Sequence, residues 1–375
     1  MSDPDGPDGL RPDKKAAPLT KNPEATQQRE MLINTFSNES FNDWYHEQQY
    51  IENILEGRAY FNGASPPPDP ERHSPSKLLQ CHRKVRYYAG NAPQEGDPPE
   101  GLFWVGTQFE ENVIVPYLLE AVTTENTYVQ NSIWIDTTIE VDGESLRLKG
   151  VTDPVIVDAD ATPILPSEVK TTSSLDYLNG PKRHHKAQLH AYLHALDRQY
   201  DRSVRDGMLV YGARDTLDIA AFHVRFDDQF WEETVLPWML TQTRYRADDA
   251  LPPADPAFDW ECDMCPFQKR CGQANGPFAD VRFTGLLLGV VDYRKQSLVE
   301  YFDAYPEAKL TPSLAGKYPV LADKYGVYKW TCRECSATVS MAESDQSGNK
   351  SPLCPQCAEQ DVLSTLKCPL PEDQI

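Results

Sequence analysis

Hydrophobic spacing changes period along this chain, and those changes predict its elements. Apolar residues first recur at helical spacing, which predicts helices over 36–55, 74–88 and 102–120. Ser74-Pro75 supplies a cap and first turn for the second, and Pro116 is expected to kink the third. The period then drops to two. Over 132–141, Ile133, Ile135 and Ile139 share one face of a predicted strand, and Asp142-Gly143 is a two-residue hairpin signal. A second strand is predicted over 146–157 and a third over 163–171. Helical spacing returns over 182–196, strands over 207–212 and 218–226, and a helix over 228–246 that Pro237 is expected to interrupt.

This order of helix, three strands, helix, two strands, helix predicts an α/β fold. The polar, Pro-rich arm 1–33 is expected to be disordered, and 273–330 to be a helical linker with one or two helices, one near 296–304. No internal repeat is present.

Composition narrows the class. A chain of 375 residues is long enough for two domains and for a core that needs no disulfides. No apolar run approaches the roughly 20 residues of a membrane span, and the first residues carry no secretory h-region. The expectation is a soluble, cytoplasmic protein with no membrane partner. Nine cysteines in such a compartment read as metal ligands rather than a disulfide framework. The net charge of −21 runs against the basic face usual in nucleic-acid binders. It is read here as a halophilic surface, kept soluble by carboxylates at high internal salt.

The candidate chemistry lies in the predicted strands and the helix after them. Asp153 follows Gly150-Val151-Thr152, and Glu168-Val169-Lys170 lies on the next strand, where Glu168 and Lys170 point to one face. Gln188 and Tyr192 are four apart on the following helix and share a face. Two carboxylates can hold Mg²⁺ or Mn²⁺ against a phosphodiester, and a lysine beside them can orient the attacking water. Gln188 and Tyr192 would position the DNA backbone or the catalytic strands.

Asp153, then Glu168-x-Lys170, then Gln188-x-x-x-Tyr192 resembles the PD-(D/E)XK nuclease superfamily, most closely its RecB-like branch with the CRISPR-associated exonucleases. The resemblance covers about 34–272 and implies a restriction-endonuclease-like core, a mixed central sheet flanked by helices. It implies Mg²⁺ or Mn²⁺ held by Glu110, Asp153, Glu168 and the Val169 carbonyl, with Lys170 assisting the water. Gly106-Thr107-Gln108-Phe109-Glu110-Glu111 stands where many members carry a metal-binding His, so Glu110 is a departure, and either it or Glu111 would face the metal. Single-stranded DNA or DNA ends are the substrate the family suggests, in repair, recombination or CRISPR adaptation.

Cys262, Cys265 and Cys271 form a dense group, and Cys81 is the candidate fourth ligand. Spacing alone allows zinc or an iron–sulfur cluster. Iron–sulfur nucleases of the RecB-like type place one cysteine upstream and three downstream as Cys-x-x-Cys-Pro-aromatic-x-x-x-Cys, which implies a [4Fe–4S] clamp here. Cys332-x-x-Cys335 and Cys354-x-x-Cys357 predict a zinc ribbon over 331–360, followed by a tail, 361–375. Cys368 is left over.

Other signals are weaker. His190 and His194 read as a solvated helix face, and His184 and His185 as a polar loop near the site. Arg83, Arg86 and Tyr87 are candidates for phosphate or base contact. No Gly-x-x-x-x-Gly-Lys-Ser/Thr motif is present, so a helicase or CRISPR-adaptation partner would act in trans. The rival reading is a catalytically inactive DNA-binding scaffold that kept the metal sites, against which the complete carboxylate–lysine set argues.

Overall fold

The computed structural model describes residues 23–96, 99–200, 202–274, 281–288, 293–344 and 351–374. The described residues up to Gly63 form one compact unit and those from Ala64 onward another. The first unit holds helices α1 (Pro23–Thr35) and α2 (Asn38–Leu55). Helix α1 occupies part of the arm expected to be disordered. Beyond Pro23 the sequence has no further proline or glycine until the helices end, and Pro23 itself fits a first turn. The rest of that arm lies outside the described residues.

The second unit is a mixed α/β body. Strands β1 (Arg72–His73), β2 (Thr127–Gln130), β3 (Trp134–Val141), β4 (Glu144–Val151), β5 (Val155–Asp158), β6 (Pro163–Thr172), β7 (Asp206–Ala213) and β8 (Ile219–Arg225) form two sheets, ordered β1-β4-β3 and β2-β5-β6-β7-β8. In the five-stranded sheet β6 and β7 run parallel and the other pairs antiparallel. Helices α3 (His82–Ala89) and α4 (Glu100–Phe109) precede the sheets, and α5 (Arg183–Gln199) crosses over between β6 and β7. Leu189, Leu193 and Leu196 of α5 join Ile135, Leu148 and Leu209 in the main core. Phe109 and Ile114 pack with Val169 and Val210, the residues that alternate with those facing the main core. The central sheet is therefore covered by helices on both faces.

Three predicted elements differ. The single strand over 146–157 is two strands in different sheets, parted at Thr152-Asp153-Pro154. Proline cannot donate to a ladder, so the chain changes sheet there. The helix over 74–88 breaks into a short turn, Pro75–Lys77, and α3, because Leu78 and Leu79 both enter the core, Leu79 at φ 56°. Pro237 does not interrupt its helix, and the chain likewise stays helical through Pro116. Wide five-residue turns over Glu110–Ile114 and Trp231–Val235 precede them and absorb the missing proline N–H. The second of these leads into α6 (Leu236–Ala247).

The segment expected to be a linker has its own core. Helices α7 (Lys295–Ala304), α8 (Pro312–Lys317) and α9 (Pro319–Tyr325) bury Leu298, Tyr301, Phe302 and Leu314 together with Leu286 and Leu287. The C-terminal stretch is likewise no loose tail. Strands β9 (Trp330–Cys332), β10 (Thr338–Val339) and β11 (Leu366–Lys367) form one sheet in the order β10-β9-β11. The buried Gln374 amide then exchanges hydrogen bonds with the Leu286 backbone. No helix of the described residues is long and apolar enough to cross a membrane.

Candidate active site and metal centres

The crossing between sheets aims Asp153. The Thr152 N–H donates to the Ile133 carbonyl, and its hydroxyl accepts from the Ile133 N–H, both at 2.9 Å. One residue past Asp153, the Pro154 carbonyl accepts from Ser167 N–H at 3.0 Å. Pinned on both sides, Asp153 turns its carboxylate onto β6, where Oδ2 accepts from the Val169 N–H at 2.8 Å. Strand β5 pairs with β6 only as far as Pro166, so Asp153 takes over an edge that the ladder leaves open. The N–H and C=O of one strand residue point the same way, so the Val169 carbonyl also faces this edge.

Glu168 and Lys170 project from β6 on the opposite face from Val169. The Glu168 side chain is fully buried, and its ion-pair partner is the Lys170 ammonium. The Lys170 ammonium and the Tyr192 hydroxyl are the polar side-chain groups against this carboxylate. Tyr192, almost completely buried, stands beside this carboxylate, and its hydroxyl accepts from Gln188 Nε2 at 2.8 Å. Of the two roles expected of Gln188 and Tyr192, this geometry suits positioning of the catalytic strands: both are buried, and Gln188 holds the Tyr192 hydroxyl against Glu168. Glu110 opens the wide turn after α4 and faces Asp153 and Lys170, whereas Glu111 is exposed.

Three carboxylates around one ammonium cannot all ionise cheaply. Burial and the Asp153 charge push Glu168 up to about 8, against the pull of Lys170. Burial and Asp153 likewise raise Glu110 to about 8. Burial raises Asp153, with Lys170 and the Val169 N–H pulling it back. Burial by itself would lower Lys170, but Glu168, Asp153 and Glu110 outweigh it and hold its ammonium above the ordinary range. Three buried or half-buried carboxylates that share one ammonium are short of positive charge, which fits a divalent cation with oxygen ligands.

The four upstream and downstream cysteines meet around one cavity. Cys81, Cys262, Cys265 and Cys271 line one small pocket together with Lys84 and Glu261. Protein contacts hold this arrangement. The Cys81 N–H donates to Glu261 Oε1 at 3.2 Å, and the next N–H, of His82, donates to Asp255 Oδ1 at 2.9 Å. Glu261 and Asp255 thus cap the start of α3 from a segment roughly 175 residues away in sequence. Phe267 is fully buried, with ring centroids of Tyr87 and Tyr88 at 5.2 and 4.9 Å. None of the four is in a disulfide.

The C-terminal cysteines are packed differently. Sulfurs of Cys332, Cys335, Cys354 and Cys357 all lie within 4.8 Å of one another. Cys332–Cys357 and Cys335–Cys354 are each 3.6 Å apart. A tetrahedral ion with Zn–S of about 2.3 Å has sulfur–sulfur edges of about 3.8 Å, so this group fits one zinc. The upstream and downstream cysteines line a shared pocket, where four thiols could hold zinc or an iron–sulfur cluster.

Other candidates fall away. His190 is buried: Nδ1 donates to the Lys186 carbonyl at 2.8 Å and Nε2 accepts from Asp227 N–H at 3.0 Å. His194 stacks on Trp231 at 4.7 Å. Neither is on a solvated face, because β8 and the following helix cover them. Arg86 and Tyr87 are buried and Arg83 donates to the Pro252 carbonyl at 2.6 Å, so this group braces the clamp rather than facing a strand of DNA. Asp255, Glu261 and Tyr211 went unnoticed in the sequence. The two acids are indistinguishable among 57, and Tyr211 sits in an ordinary strand pattern.

A family model described as the PD-(D/E)XK nuclease superfamily matches residues 39–272. No curated protein matches the chain. Among solved structures, the crystal structure of SSO0001 aligns with 60% of this chain and 93% of that one at 20% identity, with a TM-score of 0.38.

Proposed function

Because the chain belongs to the PD-(D/E)XK nuclease superfamily, whose members are metal-dependent nucleases, we propose that it is a deoxyribonuclease of the RecB-like, iron–sulfur type, acting on single-stranded DNA or DNA ends. The single observation that carries the catalytic reading is the Glu168 carboxylate, fully buried, paired with the Lys170 ammonium and crowded by Asp153.

Glu110, Asp153, Glu168 and the Val169 carbonyl would hold Mg²⁺ or Mn²⁺. That cation would supply positive charge to polarise the scissile phosphate and the attacking water. The protein's own groups do the rest. The Val169 N–H fixes one Asp153 oxygen and leaves the other free. Tyr192, steadied by Gln188, limits the rotation of Glu168. The Lys170 ammonium keeps its proton and meets negative charge as it develops on the phosphoryl oxygens.

The cysteine cavity is read as a [4Fe–4S] clamp and the C-terminal group as structural zinc. The acidic surface is read as an adaptation to high salt. DNA repair, recombination or CRISPR adaptation is the setting, with any unwinding supplied by a helicase or adaptation partner in trans. The test is digestion of end-labelled single- and double-stranded DNA with Mn²⁺ at high salt. Wild type should shorten the strands, and Lys170→Ala should not. Equal cleavage by both would overturn the site assignment.

A further inference from the structure

A file of aromatic rings runs between the cysteine cavity and the carboxylate site. It begins at Trp260, 52% exposed in the short turn just before Cys262. Trp260 lies 4.2 Å from Phe258, and Phe258 lies 5.1 Å from His184, centroid to centroid. His184 is 4.1 Å from His185, whose Nδ1 is 3.0 Å from the Tyr211 hydroxyl. Tyr211 pairs in register with Lys170. The exposed Lys182 ammonium is 5.7 Å from the centre of the Trp260 ring. In a chain with net charge −21, this places cationic and aromatic groups together beside the site.

Core packing accounts for Tyr211 and His185, but not for a half-exposed tryptophan on a turn that is held firmly. Glu261, one residue on, is buried and accepts from both the Cys81 and Ala257 N–H groups. Burial and the neighbouring lysines keep both histidines uncharged at neutral pH, His184 at about 4 and His185 at about 2. They therefore offer neutral rings rather than phosphate-binding cations. Flat, sequence-neutral faces lined with ammonium groups suit unpaired nucleotides, because every base has a face to stack and every linkage carries charge.

We propose that Trp260, Phe258 and His184 form a stacking shelf for the bases of an unpaired DNA strand, with Lys182 on its backbone, which leads the strand to the carboxylate site. The shelf rests on the nuclease reading for where the strand goes, but its binding can be measured without cleavage.

The experiment uses full-length protein with calcium in place of Mn²⁺ and three fluorescein-labelled probes: oligothymidylate, an abasic strand of equal length and a blunt duplex. Trp260→Ala should bind oligothymidylate about tenfold more weakly, while Trp260→Phe stays within about twofold of wild type. Neither variant should change binding of the abasic strand or the duplex. His184→Ala provides a second ring deletion, and matched iron content and melting temperature show that the fold is intact. Unchanged oligothymidylate binding in both ring deletions, or an equal loss for thymidylate and abasic strands, would overturn the shelf. A wild type that binds with this pattern but cuts nothing under Mn²⁺ would instead sink the nuclease reading and leave the shelf standing.

Discussion

The two four-cysteine groups of this protein are built in opposite ways. The C-terminal group draws its ligands from 26 consecutive positions, and its three short strands bury little besides Trp330, Val339, Leu366 and the cysteines themselves. The upstream group spans 191 positions of sequence, yet carboxylate caps from the buried Glu261 and the exposed Asp255 already hold it, along with Phe267 between two tyrosines. On the proposed zinc reading, the ribbon would depend on its ion for most of its cohesion, as small metal domains do. The nuclease lobe has a core of its own, and its clamp adds to a geometry already set.

The sharpest test separates chemistry from both cysteine groups. Glu168→Ala should slow cleavage by about a thousandfold or more, since each 1.4 kcal/mol is about tenfold, while iron and zinc contents stay at wild-type levels. Activity that survives would move the centre elsewhere. Gly212→Ala probes the scaffold alone. An added Cβ would fall 2.1 Å from the Phe109 ring, so that ring, next to Glu110 in the chain, must move. Cleavage slower by about ten- to a hundredfold is expected, with both metals retained. Unaltered kinetics would mean that Glu110 does not contribute.

Paired cysteine variants break the comparison directly. Cys271→Ser should strip the iron and lower the melting temperature of the lobe by about 5–10 °C without unfolding it at room temperature. Cys357→Ser should abolish zinc binding and open the ribbon to protease, with cleavage within about threefold of wild type, because the sites share no partners. A lobe that unfolds without iron, or a ribbon that resists protease without zinc, would reverse the contrast.

The smallest effect is a pH dependence of the metal-free lobe. Glu110 and Glu168 have an ordinary value of 4.5 and stand near 8 when folded. Between those values the folded state keeps protons that the unfolded chain has lost. Their stabilising contribution is therefore whole below about 4.5 and disappears as pH rises through 8. The melting temperature should fall between about pH 5 and about pH 8.5, less steeply in Glu168→Gln, and Mn²⁺ should flatten the slope by replacing the protons. A metal-free melting temperature that rises over this range would show that the carboxylates are ionised without a cation.

By itself the sequence determined the alternation of strands, the Asp142-Gly143 hairpin, the Glu168-x-Lys170 pair and the ribbon knuckles. Each depends on neighbours two to four residues apart, where backbone geometry alone decides which side chains share a face. Only the tertiary structure decided that Asp153 sits at a crossing between two sheets, that Glu110 rather than Glu111 turns inward, and that Gln188 and Tyr192 are buried. The same holds for Asp255 and Glu261, which reach across the fold to cap α3. Those outcomes depend on which surfaces exclude water when distant segments meet, and no local spacing records that.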